Sequence, residues 1–168
     1  MGSMLINSLI KILLVNYLGF EEGEVYPITN EVAANEITQL EEIKGKTDFK
    51  LIIPTDIPKD WVLEIKEPTE ITENVQLVRL NYLDKTDTYL KVSITESKSN
   101  GKLDDFGEKL NIEGTQALFQ KLTPTERYKD VTGGTLMWIQ DDTLVSIFSS
   151  RLPKSELIKI SESMISSK

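Results

Sequence analysis

The chain of 168 residues contains no cysteine and no histidine. Without thiols there are no disulfides, thiolate nucleophiles or thiolate metal ligands, and without imidazole the usual general base at neutral pH is missing as well. Most familiar catalytic kits are removed by these two absences. They leave the redox compartment open, because a thiol-free chain suits reducing and oxidising surroundings alike. Clustered positive charge is also lacking. The sequence carries 19 lysines and arginines against 27 aspartates and glutamates, a net charge of −8. Nucleic-acid binding rests on neutralising phosphates and a membrane-surface role on polybasic segments, so neither is expected.

An uninterrupted apolar run long enough for a membrane is not found at the N-terminus either. Leu5 to Phe20 is apolar but broken by Asn7, Ser8, Lys11 and Asn16, and a spanning helix needs about 20 predominantly apolar residues. No basic region precedes it and no small-x-small site follows it, which argues against a signal peptide. On a helical wheel Asn7, Ser8 and Lys11 share a narrow face, opposite a broad one of Ile6, Leu9, Ile10, Leu13, Leu14 and Tyr17. The pattern predicts a helix packed on the domain, with a membrane-contacting helix as the alternative. Residues 1–3 (Met-Gly-Ser) read as an expression-vector remnant and 4–32 as this helix followed by the acidic connection Glu21-Glu22-Gly23-Glu24 and Pro27. Residues 33–168 read as a single α+β domain, and a chain of this size buries about 70% of its unfolded surface.

What is present is a run of punctuated apolar segments. Ile37, Leu40 and Ile43 give a helical stripe from about Ala33 to Lys44, with Gly45 as its stop. Phe49 to Ile53 then leads into Pro54, Pro58 and Trp61; each proline fixes its own φ and drives the preceding residue towards extended geometry. This predicts a strand, a rigid corner and a second strand. From Asn74 the period becomes two, with apolar residues on both faces, so a central strand is expected, returning through Asp84–Asp87 as a hairpin over Tyr89–Thr95. Ser97 to Asp105, with Asn100-Gly101, reads as a loop. Lys109–Ile112 and Thr115–Leu122 hinge at Glu113-Gly114, and Leu136–Gln140 and Leu144–Ser149 flank Asp141-Asp142-Thr143 as another hairpin. Thr123–Gly134 is a long polar connection. Pro153 sits where a missing N–H does no harm, opening a helix whose face is Leu157, Ile160, Ser161 and Met164, with Ile158 and Ile165 beside it. Consecutive hairpins with helices at both ends predict an α+β fold: a single antiparallel, curved sheet with N-terminal helices and a C-terminal helix packed on one face.

Carboxylates are the abundant functional groups. Glu21, Glu22 and Glu24 lack the alternating ligand spacing of a calcium loop, and Asp104-Asp105 and Asp141-Asp142 fall in turns, where aspartate bonds backbone amides. Ser149-Ser150-Arg151 and Ser161-Glu162-Ser163 have neither a nucleophile elbow nor a histidine partner. A glycosidase needs two carboxylates across a cleft, which no sequence spacing reports. Lys59, Lys66, Arg79, Lys91 and Arg127 are scattered along the chain. Among the aromatic residues, Trp61, Tyr82, Tyr89, Trp138 and Phe148 are the candidates for an apolar ligand face, with Tyr128 a further aromatic that could line it; core packing is the competing role. No cofactor, metal site or catalytic residue is expected.

Five ordered segments carry a family resemblance: Leu40-Glu41-Glu42-Ile43 leading into Phe49-Lys50-Leu51-Ile52-Ile53-Pro54 and Ile57-Pro58-Lys59-Asp60-Trp61; Val78-Arg79-Leu80-Asn81-Tyr82; Leu110-Asn111-Ile112-Glu113-Gly114; Leu136-Met137-Trp138-Ile139; and Leu152 through Ser163. With these the chain resembles an uncharacterised domain of Gram-positive bacteria that commonly forms the extracytoplasmic C-terminal part of membrane-anchored anti-sigma factors and of lipoproteins. The resemblance implies a lipoprotein-carrier-like sheet curled around a helix, and it assigns no catalytic residues. It implies a non-enzymatic extracytoplasmic sensor or binding module of a membrane-anchored envelope protein, regulating a sigma factor. The alternative is a carrier that binds a lipid, lipoprotein or other small apolar ligand on a concave sheet. An enzyme using paired carboxylates is the third reading. Membrane association is expected through a segment absent from this sequence, and an envelope protein is the expected partner.

Overall fold

Two tight turns organise half of the molecule. Glu113 and Gly114 have φ of 51° and 83°, and Asp141 and Asp142 have φ of 50° and 61°. Positive φ at both central residues defines the turn whose twist matches that of the flanking strands, so each pair closes a two-residue hairpin. In the first, β4 (Glu108–Ile112) returns as β5 (Thr115–Lys121). In the second, β6 (Gly134–Gln140) returns as β7 (Thr143–Ser149). Thr143, expected in the turn, is the first residue of β7 and is buried.

The computed structural model describes residues 30–86, 89–103, 107–126, 129 and 131–166. The expected helix over Leu5–Phe20, the acidic connection, Asp104-Asp105, Arg127 and Tyr128 lie outside them. Helix α1 (Asn30–Lys44) opens the described chain, followed by β1 (Trp61–Glu67), β2 (Leu77–Asp84), β3 (Leu90–Lys98) and the two hairpins; α2 (Lys154–Ile165) closes it. Together they form an α+β fold around one antiparallel sheet of seven strands in the order β1-β2-β3-β7-β6-β5-β4. Two meanders, β1-β2-β3 and β4 to β7, are thus joined side by side through β3 and β7. The connection from β3 must therefore travel past β7, β6 and β5 to start β4 at the far edge.

Alternation sorts the strands into an inner and an outer face. Val78, Leu80 and Tyr82 of β2, Val92 and Ile94 of β3, Val145 and Ile147 of β7, and Leu136 and Trp138 of β6 are all buried on the inner face. Leu40 and Ile43 of α1 and Leu157, Ile160, Met164 and Ile165 of α2 complete that core. Each such side chain contributes roughly 1.5–3 kcal/mol by leaving water. The outer face carries Arg79, Asn81, Ser93, Thr95, Ser146, Phe148, Thr135 and Met137, all partly exposed. β2 lies inside the sheet as expected, but only one of its faces is packed.

The run Phe49–Ile53 departs from expectation, since it is extended but belongs to no strand. Its residues cross the inner face as a strap, anchored to side chains of the sheet and not paired along a ladder. The Thr143 hydroxyl donates to the Lys50 carbonyl at 2.7 Å, and the Ile52 N–H donates to Glu96 Oε2 at 2.8 Å. Exposed ion pairs hold its N-terminal end: Lys98 to Asp48 at 2.8 Å and Lys50 to Asp141 at 2.7 Å. Val75, expected in the following strand, instead forms an isolated parallel bridge with Thr47. The second strand of the corner does form, as β1, and Trp61 packs partly buried against the core.

Candidate functional site

The five aromatic candidates are divided between the faces. Trp138 and Tyr82 are buried in the inner core, and Trp61 packs beside them. Phe148 follows the buried Ile147 and so points to the outer face, opposite Ser93 and Thr135. Tyr89 is half exposed in the β2–β3 connection, with the Arg151 guanidinium 4.4 Å from its ring centroid. Parity along the strands made this separation readable: Trp138 and Phe148 lie on paired strands but at positions of opposite phase. The lysines and Arg79 are not gathered either. Lys66 bonds Glu64, Lys91 lies 3.7 Å from Asp84, Lys59 stands in an exposed loop, and Arg79 lies on the outer face.

What the outer face does gather is built by the β3–β4 connection. Crossing three strands, it lays Leu103 against the sheet. On one side of Leu103 is a depression of about 310 Å³ lined by Lys109, Gln116, Ala117 and Leu118. On the other side is one of about 150 Å³ lined by Lys98, Asn100, Lys102, Met137 and Leu144. The floor is apolar because β6 pairs Met137 with Leu118, and Ile139 with Leu144 on β7. Leu118 is buried yet stands apart from the inner core cluster, the mark of cover supplied on the outer side. Lys98, Lys102 and Lys109 line this groove, the Lys98 ammonium being bonded to Asp48 at 2.8 Å. The larger depression is near the lower limit of small-molecule pockets, roughly 300–1,000 Å³. Reading the lysines as scattered missed it, because only the crossing connection brings Lys98, Lys102 and Lys109 to one place.

The inner face holds a different set of polar groups. Glu96 shares a face with Val92 and Ile94 and is wholly buried; only its Oε2 is bonded, to Ile52 N–H, while Oε1 has no hydrogen-bond partner. Burial pushes this carboxyl up to about 8, against the opposing pull of the Ile52 amide. The buried Tyr82 hydroxyl is also unpartnered, and burial, then the carboxylates of Glu96 and Glu36, push its pKa up. Glu36 on α1 is half-buried and pushed up to about 7, first by burial and then by Glu64. The signal for Glu96 was available in sequence as a carboxylate in phase with core residues. Enclosed as it is, Glu96 offers no surface to a substrate. Ser149 is likewise committed: its hydroxyl donates to the Lys91 carbonyl at 2.6 Å and accepts from the amides of Arg151 and Leu152 at 3.1 and 3.0 Å. That fixes the turn from β7 into α2. Among the described residues, no three carboxylates are placed to hold a metal ion, and no helix is long and apolar enough to cross a membrane.

The matched family runs from the strap to the last turn of α2, residues 51–164, and is described as a domain of unknown function (DUF4367). The chain belongs to the DUF4367 family. The match takes in the strap from Leu51 onward, every strand and almost all of α2, so the crossing connection and the buried Glu96 both lie within the DUF4367 region. No curated protein and no solved structure matches the chain.

Proposed function

We propose that this DUF4367 domain is a non-enzymatic, extracytoplasmic binding module of a membrane-anchored envelope protein, engaging its partner through the outer sheet face and regulating a sigma factor. The observation that supports this reading best is the division of labour between the faces. The inner face is filled by the protein's own side chains, with Trp138, Leu80 and Ile147 fully buried, whereas the groove astride Leu103 opens outward. Its apolar floor suits a partner segment that presents apolar side chains, with Lys102 at the rim to meet an acidic one. Placement outside the cytoplasm and the link to a sigma factor rest on the family resemblance. The carrier reading draws on the same floor of Met137, Leu144 and Leu118, which suits an acyl chain.

One experiment separates these readings. A photo-crosslinking amino acid replaces Gln116, an exposed residue lining the larger depression, and Lys59 as a control away from it, in the intact protein in its own cells. The binding-module reading predicts an adduct with an envelope protein from position 116 and none from 59, and digestion of the domain by protease added to intact protoplasts. Survival of the domain until the cells are lysed sinks the extracytoplasmic placement. About one lipid per chain in the organic extract of the purified protein selects the carrier.

A further inference from the structure

The contact between the strap and the sheet has an unusual chemistry. Among the bonds that fix residues 48–55, two are exposed ion pairs and three are made by threonine hydroxyls to carbonyls. Another is made by a carboxyl group with no access to water: Glu96 Oε2 accepts from Ile52 N–H at 2.8 Å, at the middle of the strap. No cation faces it. From β2 the neighbouring titratable group is Tyr82, on which both Glu96 and, from α1, Glu36 act. The buried residues of α2 are Leu157, Ile160, Ser161, Met164 and Ile165, and those of β7 are Thr143, Val145, Ile147 and Ser149, none of them charged. The strap's own charges, Asp48 and Lys50, are spent on Lys98 and Asp141 at the surface. A carboxylate in such surroundings is unpaired and desolvated, which costs several kcal/mol; a neutral carboxyl is tolerated.

We propose that Glu96 is a proton-operated latch: with its proton it holds the strap, and through the strap α1, on the inner face, and without it the strap lifts from the sheet. Release does not require the fold to melt, because the seven-stranded ladder is made without the strap. Water reaches the carboxylate when Ile52 leaves, so ionisation and lifting are one event. The elevated titration of Glu96 agrees with this and places the event on the alkaline side of neutrality. The inference goes beyond the binding role proposed above and holds wherever the domain resides.

The test follows the Ile52 amide by hydrogen exchange from pH 6 to 10, corrected for the intrinsic base-catalysed rate, alongside the Glu96 side-chain carboxyl ¹³C resonance in the same protein. The expected result is strap protection that falls by about tenfold per pH unit from pH 6 up to the Glu96 midpoint and levels off above it, with the resonance titrating at that midpoint and the β6–β7 amides unchanged. In Glu96→Gln, which keeps an acceptor for Ile52 without an ionisable proton, protection is level across the range. A Glu96 midpoint in the ordinary carboxylate range overturns the latch. So does loss of strap protection in step with the β6–β7 amides, or an unaltered pH dependence in the Gln variant. If that variant does not fold, coincidence or disagreement of the two midpoints in the native protein decides alone.

Discussion

Adjacent residues of β7 give the sharpest contrast between the two faces of the sheet. Ile147 is fully buried, with Ile94 and Leu136 as its cross-strand partners, while Phe148, next in the chain, stands partly exposed between Ser93 and Thr135. Ile147→Ala removes three buried carbons, about 2.5 kcal/mol at roughly 0.8 kcal/mol per carbon. The cavity left between two fixed strands adds about 1 kcal/mol more, for a total of about 3–4 kcal/mol, inside the usual range for such truncations. Phe148→Ala removes a larger group, but one already partly in water and flanked by small polar side chains, so about 1 kcal/mol is expected. Urea unfolding followed by the fluorescence of Trp61 and Trp138 reads both. With a slope near 2 kcal/mol/M, the midpoint falls by about 1.5–2 M for Ile147→Ala and about 0.5 M for Phe148→Ala, with slopes unchanged. Equal losses, or a greater loss for Phe148→Ala, would refute the division into a packed face and an open one.

Other consequences follow from particular residues. Glu96 and Glu36 are pushed from 4.5 to about 8 and about 7, so the unfolded chain gives up these protons first. Their contribution to stability is therefore full below about pH 4.5 and is lost as pH climbs to about 8. For a fully buried group the span corresponds to about 5 kcal/mol as an upper bound, and for the half-exposed Glu36 to much less; the urea midpoint between pH 5 and 8.5 measures it, and Glu96→Gln flattens the curve. Gly134→Ala brings a Cβ to 2.6 Å from the Phe119 ring and 2.5 Å from the Gln120 carbonyl oxygen. The β5–β6 pair must then yield, costing about 1–3 kcal/mol and lowering Tm by roughly 5 °C or more. Glu113→Asn places at φ 51° a residue that visits this region routinely; thermal unfolding is expected to show a gain of about 0.5 kcal/mol.

Much of the architecture was legible in the sequence because it is written in local terms. The turn residues Glu113-Gly114 and Asp141-Asp142 located two hairpins, the period-two segments located the strands, and Leu157, Ile160, Ser161 and Met164 marked the buried side of α2. The strap was misread as a strand because Phe49–Ile53 has strand composition, and only its path across the sheet denies it a partner. Val75 failed for a related reason: its backbone pairs with Lys46-Thr47, a contact set by the tertiary path and not by alternation. Strand order was beyond local reading. The neighbouring of β3 and β7 makes the β3–β4 connection cross the outer face, and without that crossing Leu103, Lys98, Lys102 and Lys109 form no groove. Glu96 was readable in part, since its phase with Val92 and Ile94 puts a carboxyl in the core, but its bond to Ile52 depends on the strap.

The most direct test of the central claim, that one sheet face is closed by the protein itself and the other is open for contact, uses two methionines. Met137 lines the outer groove, whereas Met164 on α2 is fully buried against the inner face. Oxidation by dilute peroxide, followed by peptide mapping before any unfolding, is expected to convert Met137 to the sulfoxide well ahead of Met164. Equal rates, or faster oxidation of Met164, would contradict the account.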